Sequence, residues 1–320
     1  MITKVLKTIE DYQMLSPASQ VVVGVSGGAD SMALLHLLWG RRKFCPALKV
    51  TAAHVNHCLR GEESDRDEAH VREYCQKEKI PLDVLKIDAR AEAQSRKLGL
   101  EACGRAVRYE FFQGLAGNGG LIATAHNLSD HVETVLLHLA RGAGLRGLCG
   151  IPPVRGNIIR PLIGCTRQEI EAYCRDNEIP YVTDSTNLKT EYSRNKIRLQ
   201  VLPVLKEINP SLEEAVGRMA QGLREDDDYL WAAARGLLSQ ASLEEGGWSC
   251  RVLSQGEKPV RVRAVRLLQE GSKPEARHLE AIDRIVLAGQ GGVSVPGGLD
   301  FHAKRGVLRT VPHKKRKIPQ

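Results

Sequence analysis

A short run of glycine and serine is the first feature of this sequence that can carry chemistry. The residues Ser26-Gly27-Gly28-Ala29-Asp30-Ser31 follow an apolar, β-branched stretch at 21–25 and precede an apolar stretch at 32–38. This order predicts a buried strand, a tight loop and a helix. Glycines let the backbone approach an anion, N–H groups at a helix start bind it, and the two serine hydroxyls add hydrogen bonds. The segment therefore predicts a phosphate-binding loop.

Asp30 is the unusual member of this loop. A carboxylate repels phosphates unless a cation lies between them, so Asp30 indicates a nucleotide bridged by Mg²⁺ rather than a bare phosphate. An ordinary helix cap at Asp30 or Ser31 is the alternative. Two other nucleotide motifs are excluded, because no lysine follows the last glycine and no G-x-G-x-x-G pattern follows the strand.

Further polar residues stand where the next strands are expected to end. His54 and Asn56 fall at the end of an apolar stretch at 48–55. His126, Asp130 and Glu133 are spaced by four and three residues, so at a helix start they share one face. The alternative is structural, with Asp130 and Glu133 as a capping pair and His126 as a loop histidine that bonds locally.

Two pairs of arginines add positive charge to this set. Arg105 and Arg108 lie about one helical turn apart, and Arg194 and Arg198 repeat that arrangement. Paired guanidinium groups suit phosphates, so both pairs are candidates for binding a ligand that contains phosphate. Exposed arginines on helices are also commonly solvated or paired with a nearby carboxylate.

Alternating strands and helices position these residues. The repeated β-α pattern predicts a doubly wound α/β domain with a mostly parallel sheet, in which ligands gather at the carboxyl ends of the strands. Ser26, the segment after Val55 and His126 fall at these ends, so we expect them to share one cleft, with the helix face of His126, Asp130 and Glu133 turned toward it. The predicted strands are 21–25, 48–55, 82–87, 121–125, 158–163 and 181–182, and the predicted helices are 62–79, 100–115, 130–140, 167–177 and 211–240.

A break near Pro203 and Asn209-Pro210 predicts a catalytic domain over 1–207 and a smaller, mainly helical domain over 208–320. The second domain is basic late in the chain, at Arg261, Arg263, Arg266 and residues 313–317. With a net charge of +8 and a pI of about 9.1, the chain suits a polyanionic partner.

Composition also excludes several classes of protein. The eight cysteines form no C-x-x-C pair, which argues against a zinc site or a disulfide framework. No apolar run reaches the roughly 18 residues of a membrane span, and the first residues lack the core of a signal peptide. We therefore expect a cytoplasmic protein without membrane contact.

The motifs together resemble a known family. The loop at 26–31 resembles the pyrophosphate loop of ATP pyrophosphatases, and four further segments, in order, are similar to tRNA(Ile)-lysidine synthetases: 54–64, 101–109, 123–134, and 184–187 with 194–198. The resemblance covers residues 20–210 most strongly and is closest to the compact form of the family. It implies a fold of the adenine-nucleotide α-hydrolase type.

The resemblance implies a reaction with ATP, Mg²⁺, L-lysine and a tRNA(Ile) with a CAU anticodon. The wobble cytidine is first adenylated with release of pyrophosphate, and the lysine ε-amine then displaces AMP. Asp30, Arg105, His126, Asp130, Glu133 and Arg194 are the expected catalytic residues, with His126 on the base or the developing phosphate charge and Asp130 and Glu133 on the lysine ammonium or the metal. The expected nucleotide-binding residues are 26–31, His54 and Asn56, with Asp30 the metal ligand.

Two other functions fit the same residues. One is an ATP-dependent amide-forming synthetase acting on a small metabolite, with a basic tail that only aids solubility. The other is a non-enzymatic RNA-binding protein that senses ATP. The oligomeric state is open, and a homodimer is one possibility.

Overall fold

A computed structural model describes residues 1–16, 19–182, 193–269, 275–296 and 299–312. The chain divides into two compact units, Met1–Gln221 and Gly222–Gln320. This division falls within one long helix, whereas the sequence analysis placed the domain boundary between residues 207 and 208.

The first unit is built on a six-stranded sheet in the order β3-β2-β1-β4-β6-β5. Neighbouring strands are parallel except for β5 and β6, which are antiparallel. Central β1 pairs with both neighbours, Val22 lying opposite Thr51 of β2 and Ile122 of β4. The mostly parallel sheet is confirmed. Its strands are β1 (Gln20–Gly24), β2 (Lys49–Asn56), β3 (Leu82–Lys86), β4 (Leu121–Ala123), β5 (Val154–Arg155) and β6 (Ile158–Ile159).

Helices cover the sheet because the central strands are apolar on both faces. Val21, Val22 and Val23 are all buried, and the helix after the loop buries eight of its side chains. The helices of this unit are α1 (Ile2–Asp11), α2 (Ala29–Arg41), α3 (Glu62–Lys77), α4 (Ala89–Arg96), α5 (Leu100–Ala116), α6 (Leu128–Ala140), α7 (Leu145–Leu148), α8 (Arg167–Asp176), α9 (Ser193–Lys196) and α10 (Leu202–Ile208), with a π-helical turn at Ile197–Val201.

Three predicted strands differ from the structure. The strand predicted over 121–125 ends at Ala123. The strand predicted over 158–163 ends at Ile159, since the chain turns at Pro161 and Ile163 N–H bonds back to the Arg160 carbonyl. Residues 181–182 form no strand. Val182 N–H instead donates to the Gly27 carbonyl, so this segment contacts the phosphate loop rather than the sheet.

The second unit is mainly helical and also contains a sheet that the sequence analysis did not predict. Helix α11 (Leu212–Ala241) runs into it, followed by α12 (Cys250–Ser254), α13 (Lys258–Leu267) and α14 (Ala276–Ala288). Four antiparallel strands lie in the order β7-β10-β9-β8. Phe301, Leu253 and Ile282 are fully buried between the helices and this sheet. The strands are β7 (Trp248–Ser249), β8 (Gly291–Val295), β9 (Leu299–Lys304) and β10 (Val307–Pro312).

The basic residues of this unit are less available than their sequence suggested. Arg261 is 7% exposed and donates to both oxygens of Asp283, over 2.5 and 3.1 Å. Arg263 donates to Asp227 over 2.9 Å. Both of these arginines are therefore paired with aspartates within the unit, whereas Arg266 is exposed. The terminal cluster at 313–317 lies outside the described residues.

Within the described part of the chain, no helix has both the length and the apolar character that crossing a membrane requires.

Candidate active site

The loop at 26–31 joins β1 to α2 in the geometry that the sequence predicted. Gly27 has a φ of +89°, which suits glycine, and its carbonyl holds Val182. The N-cap of α2 is Gly28, and no side chain caps this helix start. The alternative that Asp30 or Ser31 is an ordinary cap is therefore wrong, and the uncapped N-terminus suits an anion.

Ser26 and Ser31 hold the loop in shape. The Ser31 hydroxyl accepts from Ser26 N–H at 3.1 Å and donates to the Gly28 carbonyl at 2.9 Å. The two serine hydroxyls lie 3.2 Å apart. Both residues line the cleft, whereas Gly27 and Ala29 are buried.

Asp30 is held from two directions. Its Oδ1 accepts from Asn127 Nδ2 at 3.0 Å, and its Oδ2 accepts from Arg167 Nη1 at 2.8 Å. Burial raises the pKa of Asp30 to about 6, a rise that Arg167 opposes and nearby Asp130 increases. The carboxylate is thus oriented but poorly solvated, as expected of a group that binds a cation.

The residues at the end of β2 are buried and form hydrogen bonds within the protein. His54 is 4% exposed and donates from Nδ1 to the Val25 carbonyl at 2.8 Å, and burial lowers its pKa. Asn56 donates to Asp65 and Glu68, both at 2.9 Å, and accepts from Cys58 N–H. Both line the cleft, but these bonds make Asn56 an organiser of the loop that follows β2.

His126 lies beyond the end of β4, with Nδ1 3.0 Å from the Thr124 hydroxyl. Burial first, and then the positive charge of Arg160, Arg194 and other arginines, lowers the pKa of His126 to about 3. The imidazole is therefore neutral at physiological pH. A neutral ring can donate one hydrogen bond, but it does not supply positive charge to a phosphate.

Asp130 and Glu133 both lie within ion-pair distance of Arg194 and Arg198, but they differ in their access to the cleft. Asp130 lines the cleft and completes a capping box, with Oδ2 accepting from Asn127 N–H at 3.2 Å. Glu133 is 1% exposed and accepts from Arg194 Nε at 2.9 Å and Arg198 Nε at 2.5 Å. The expectation that Glu133 turns toward the cleft is therefore wrong, because its carboxylate is turned to the two arginines.

Helix α5 forms a mixed wall of the cleft. Arg105 and Arg108 both line it, and the Arg105 guanidinium lies 4.9 Å from the centre of the Tyr109 ring. Phe112 packs so close to Gly24 that a Cβ at Gly24 would lie 2.6 Å from the ring. This wall combines positive charge for phosphates with apolar surface for a base.

These side chains surround one cleft of about 670 Å³ at the carboxyl ends of β1, β2 and β4. It brings together Ser26, Gly28, Asp30, Ser31, His54, Asn56, Arg105, His126 and Asp130. Of the predicted site residues, Gly27, Ala29, Glu133 and Arg194 do not line it, although Arg198 does. The motif at 184–187 lies outside the described residues.

Comparison with known proteins shows which family this chain belongs to. Residues 1–205 match the PP-loop domain family. A tRNA(Ile)-lysidine synthase of Petrotoga mobilis is 34% identical over 305 residues, covering 94% of this chain and 95% of that protein. The chain belongs to the tRNA(Ile)-lysidine synthase family.

Other relatives in this family are longer. A tRNA(Ile)-lysidine synthase of Clostridium tetani is 42% identical over 234 residues, which cover 72% of this chain and 50% of that protein. The chain thus spans about half the length of several curated relatives it matches. A U34-tRNA thiolase of Methanococcus maripaludis, solved with its 4Fe-4S cluster, superposes with a TM-score of 0.58 at 20% identity, over 70% of this chain and 78% of that one. This last likeness shows the fold alone.

Sequence reasoning missed Arg167, which lines the cleft, and Arg160, a buried arginine whose charge helps to lower the pKa of His126. Arg167 begins α8 and reaches Asp30 across 137 positions of sequence. Arg160 is 2% exposed and donates to the Pro152 carbonyl at 2.6 Å, and its Nε has no hydrogen-bond partner among the described residues. The lysidine synthase resemblance gave no signal for either, because both lie outside the motifs on which it rested.

Proposed function

We propose that this chain ligates lysine to carbon 2 of the wobble cytidine of a tRNA(Ile) with a CAU anticodon, using ATP and forming lysidine. The observation that carries the proposal is the convergence of the phosphate loop, Asp30, His126 and Asp130 in one cleft. The Petrotoga relative, which carries the lysidine synthase name, aligns with 94% of this chain.

The first step joins the cytosine to the α-phosphate of ATP. The oxygen on carbon 2 attacks the α-phosphorus, and the bond from that phosphorus to the β-phosphate oxygen breaks, releasing pyrophosphate. Negative charge develops on the phosphate oxygens during this exchange. The uncapped start of α2 and the guanidinium groups of Arg105 and Arg108 are suited to stabilise that charge.

The second step replaces the adenylate with lysine. The ε-amine attacks carbon 2, the carbon–oxygen bond breaks, and AMP leaves. The incoming ammonium must first lose a proton, and the Asp130 carboxylate in the cleft is the candidate acceptor, because the depressed pKa of His126 makes its ring a poor base. His126 is neutral and oriented by Thr124, while Asp130 supplies negative charge nearby for the ammonium.

The residues present also fit Mg²⁺ bound together with a nucleotide. Among the described residues no group of three or more histidine, cysteine or carboxylate side chains converges as a metal cage. Mg²⁺ is commonly held by one or two carboxylates plus substrate phosphates, and Asp30 beside the phosphate loop meets that requirement. The ion would neutralise phosphate charge there.

The second domain proposed from the sequence, over 208–320, would supply backbone contacts to tRNA. Of its central arginines, Arg266 is the exposed candidate, since Arg261 and Arg263 are paired with aspartates. Lysine and arginine read phosphate charge rather than sequence, so base selection belongs to the cleft.

Pyrophosphate release separates this proposal from the two alternatives. We expect release with ATP and a CAU-anticodon tRNA, and none with ATP and small carboxylic acids. Release with small acids alone would support the amide synthetase. ATP binding without release under either condition would support the RNA-binding sensor. Asp30→Ala should abolish release without unfolding the chain, since it removes a cation ligand and opens no core cavity.

A further inference from the structure

The carboxylate of Asp30 lies between the starts of two helices. Asn127, the N-cap of α6, donates to Oδ1, and Arg167, the first residue of α8, donates to Oδ2. Both oxygens therefore have a partner, and the direction in which Asp30 points is set by groups distant in sequence.

Arg167 is positioned by contacts at the start of α8 and by a second carboxylate. Helix α8 begins with a capping box between Thr166 and Glu169. Arg167 N–H donates to the Ser129 hydroxyl at 3.3 Å, and its Nε donates to Glu171 at 2.7 Å. One guanidinium thus joins a carboxylate of its own helix to the carboxylate of the phosphate loop.

A divalent cation at Asp30 would meet a positive charge already in contact with Oδ2. Two cations on one carboxylate oxygen repel each other, so the metal and Arg167 compete. We propose that Arg167 is a positioning residue that neutralises Asp30 before the metal–nucleotide complex arrives and is then exchanged for the metal at Oδ2, while Asn127 keeps Oδ1. This inference rests on the proposed role of Asp30 as a metal ligand.

Exposure and an alternative partner make the exchange feasible. The side chain of Arg167 is 38% exposed and that of Asp30 is 21% exposed, so parting them disrupts no core packing. Glu171, 43% exposed, keeps Arg167 paired after it leaves Asp30. Both arginine and carboxylate line the cleft, where a phosphate-bound cation would enter.

The exchange has a measurable consequence for nucleotide binding. Without metal, Arg167 masks a carboxylate that would otherwise repel the triphosphate. Removing Arg167 should therefore weaken binding of the metal-free nucleotide more than binding of the metal-loaded nucleotide. The ratio of the two dissociation constants, metal-free over metal-loaded, should rise.

We would measure this ratio with α,β-methylene ATP at pH 8, in EDTA and in saturating Mg²⁺, by titration calorimetry of the full chain. Arg167→Gln should raise the ratio about 3- to 10-fold, the range expected for a partly exposed ion pair. The matched control is Arg175→Gln, on the same helix, whose side chain is 76% exposed and whose ion pair with Asp176 is 3.9 Å long. Its ratio should equal that of the wild type.

An unchanged or smaller ratio in Arg167→Gln would overturn the proposal. Circular dichroism checks that this variant folds. If Arg167→Gln does not fold, Arg167→Lys is measured instead. Lysine keeps the positive charge but lacks the guanidinium fork, so we expect the ratio to rise about two-fold. A ratio at or below the wild-type value would overturn the exchange.

Asp30→Asn distinguishes failure of this inference from failure of the proposed function. A wild-type ratio in Asp30→Asn would remove Asp30 from the metal site and overturn both assignments. A reduced ratio there, with no change in Arg167→Gln, would overturn only the exchange.

Discussion

Arg194 donates from Nε to Oε2 of Glu133 over 2.9 Å, and Glu133 is almost fully buried. Arg198 binds the other oxygen of the same carboxylate. Of these three residues only Arg198 lines the cleft. Glu133 therefore acts on the site through arginines that it holds in place, and it is not available to a substrate ammonium in this conformation.

Replacing Glu133 tests this pairing. Glu133→Gln leaves two guanidinium groups facing a neutral amide, so we expect the free energy of unfolding to fall by about 1–3 kcal/mol, less than for a fully buried pair because both arginines are partly exposed. Urea unfolding measures the change. Glu110→Gln, which removes an exposed carboxylate paired with Arg96, is the control and should leave stability unchanged. Equal stability of both variants would show that the Glu133 cluster adds nothing to the fold.

Asp130 combines a cap with a cleft position, and two substitutions separate these roles. Asp130→Asn keeps an oxygen that can accept from Asn127 N–H, so stability should stay within about 0.5 kcal/mol, whereas Asp130→Ala should cost about 1 kcal/mol. Both variants should lose lysidine formation by on the order of 100-fold or more if the charge acts on the substrate. Near wild-type turnover in Asp130→Asn would leave Asp130 as a cap alone.

His126 should influence both activity and the pH dependence of folding. His126→Ala should lower lysidine formation by on the order of 100-fold or more, through loss of a hydrogen bond to charge that develops on the substrate. Wild-type turnover in this variant would return His126 to a structural role.

The depressed pKa of His126, about 3, also determines whether the free energy of unfolding rises or falls with pH. As pH falls below 6.5 the unfolded ring takes up a proton that the folded ring refuses, so stability is lost on acidification. Between pH 7 and 4.5 this contribution amounts to roughly 2 kcal/mol. Urea unfolding of His126→Gln at these two pH values should show a smaller loss than the wild type, with His70→Gln as a control for removing a histidine. Parallel losses in all three proteins would contradict the buried, neutral ring.

The sequence predicted the parts of the fold that have a local signal. Residues 21–25 are β-branched and apolar because β1 is covered on both faces, and the phosphate loop follows from glycine and serine between that strand and α2. In the second unit, β8 begins with two glycines and has little strand signal, whereas β9 and β10, of six residues each, carried a signal that was missed. The available sequence signal was the pair Arg305-Gly306 between two stretches in which apolar and polar residues alternate. In the structure both residues have a positive φ, +52° and +76°, which fits a two-residue hairpin turn.

Partners across the fold could not be predicted. The contact between Arg167 and Asp30 depends on α8 beginning beside the loop, and no spacing in the sequence encodes it. Likewise, the pattern placed Glu133 correctly on the first turns of α6, but which side chains cover that carboxylate depends on a segment more than 60 residues later. The sequence pattern therefore predicted which residues could act and which helix or strand would carry them. Tertiary packing decided which side chains they contact and how exposed they are.

The contribution of the C-terminal region to tRNA binding is testable with salt. Arg266→Gln should reduce the slope of log affinity against log salt by about 0.7–0.9, the value for one phosphate contact, and removal of residues 314–317 should reduce it by roughly one for each phosphate that those residues neutralise. Arg277→Gln, whose arginine is exposed but paired with Glu275, should leave the slope unchanged. Identical slopes in all of these proteins, measured by filter binding, would assign tRNA binding to the first domain alone.

The most direct test of the proposed activity is the mass of the wobble nucleoside after reaction. The full chain is incubated with ATP, Mg²⁺, isotopically labelled lysine and a CAU-anticodon tRNA(Ile) transcript, and the digested nucleosides are analysed by mass spectrometry. We predict one lysine, with loss of water, on the wobble cytidine, none on a transcript with uridine at that position, and none with Asp30→Ala. An unmodified cytidine with the wild-type chain, or lysine incorporation that survives Asp30→Ala, would contradict the proposed activity and the role of Asp30 in it.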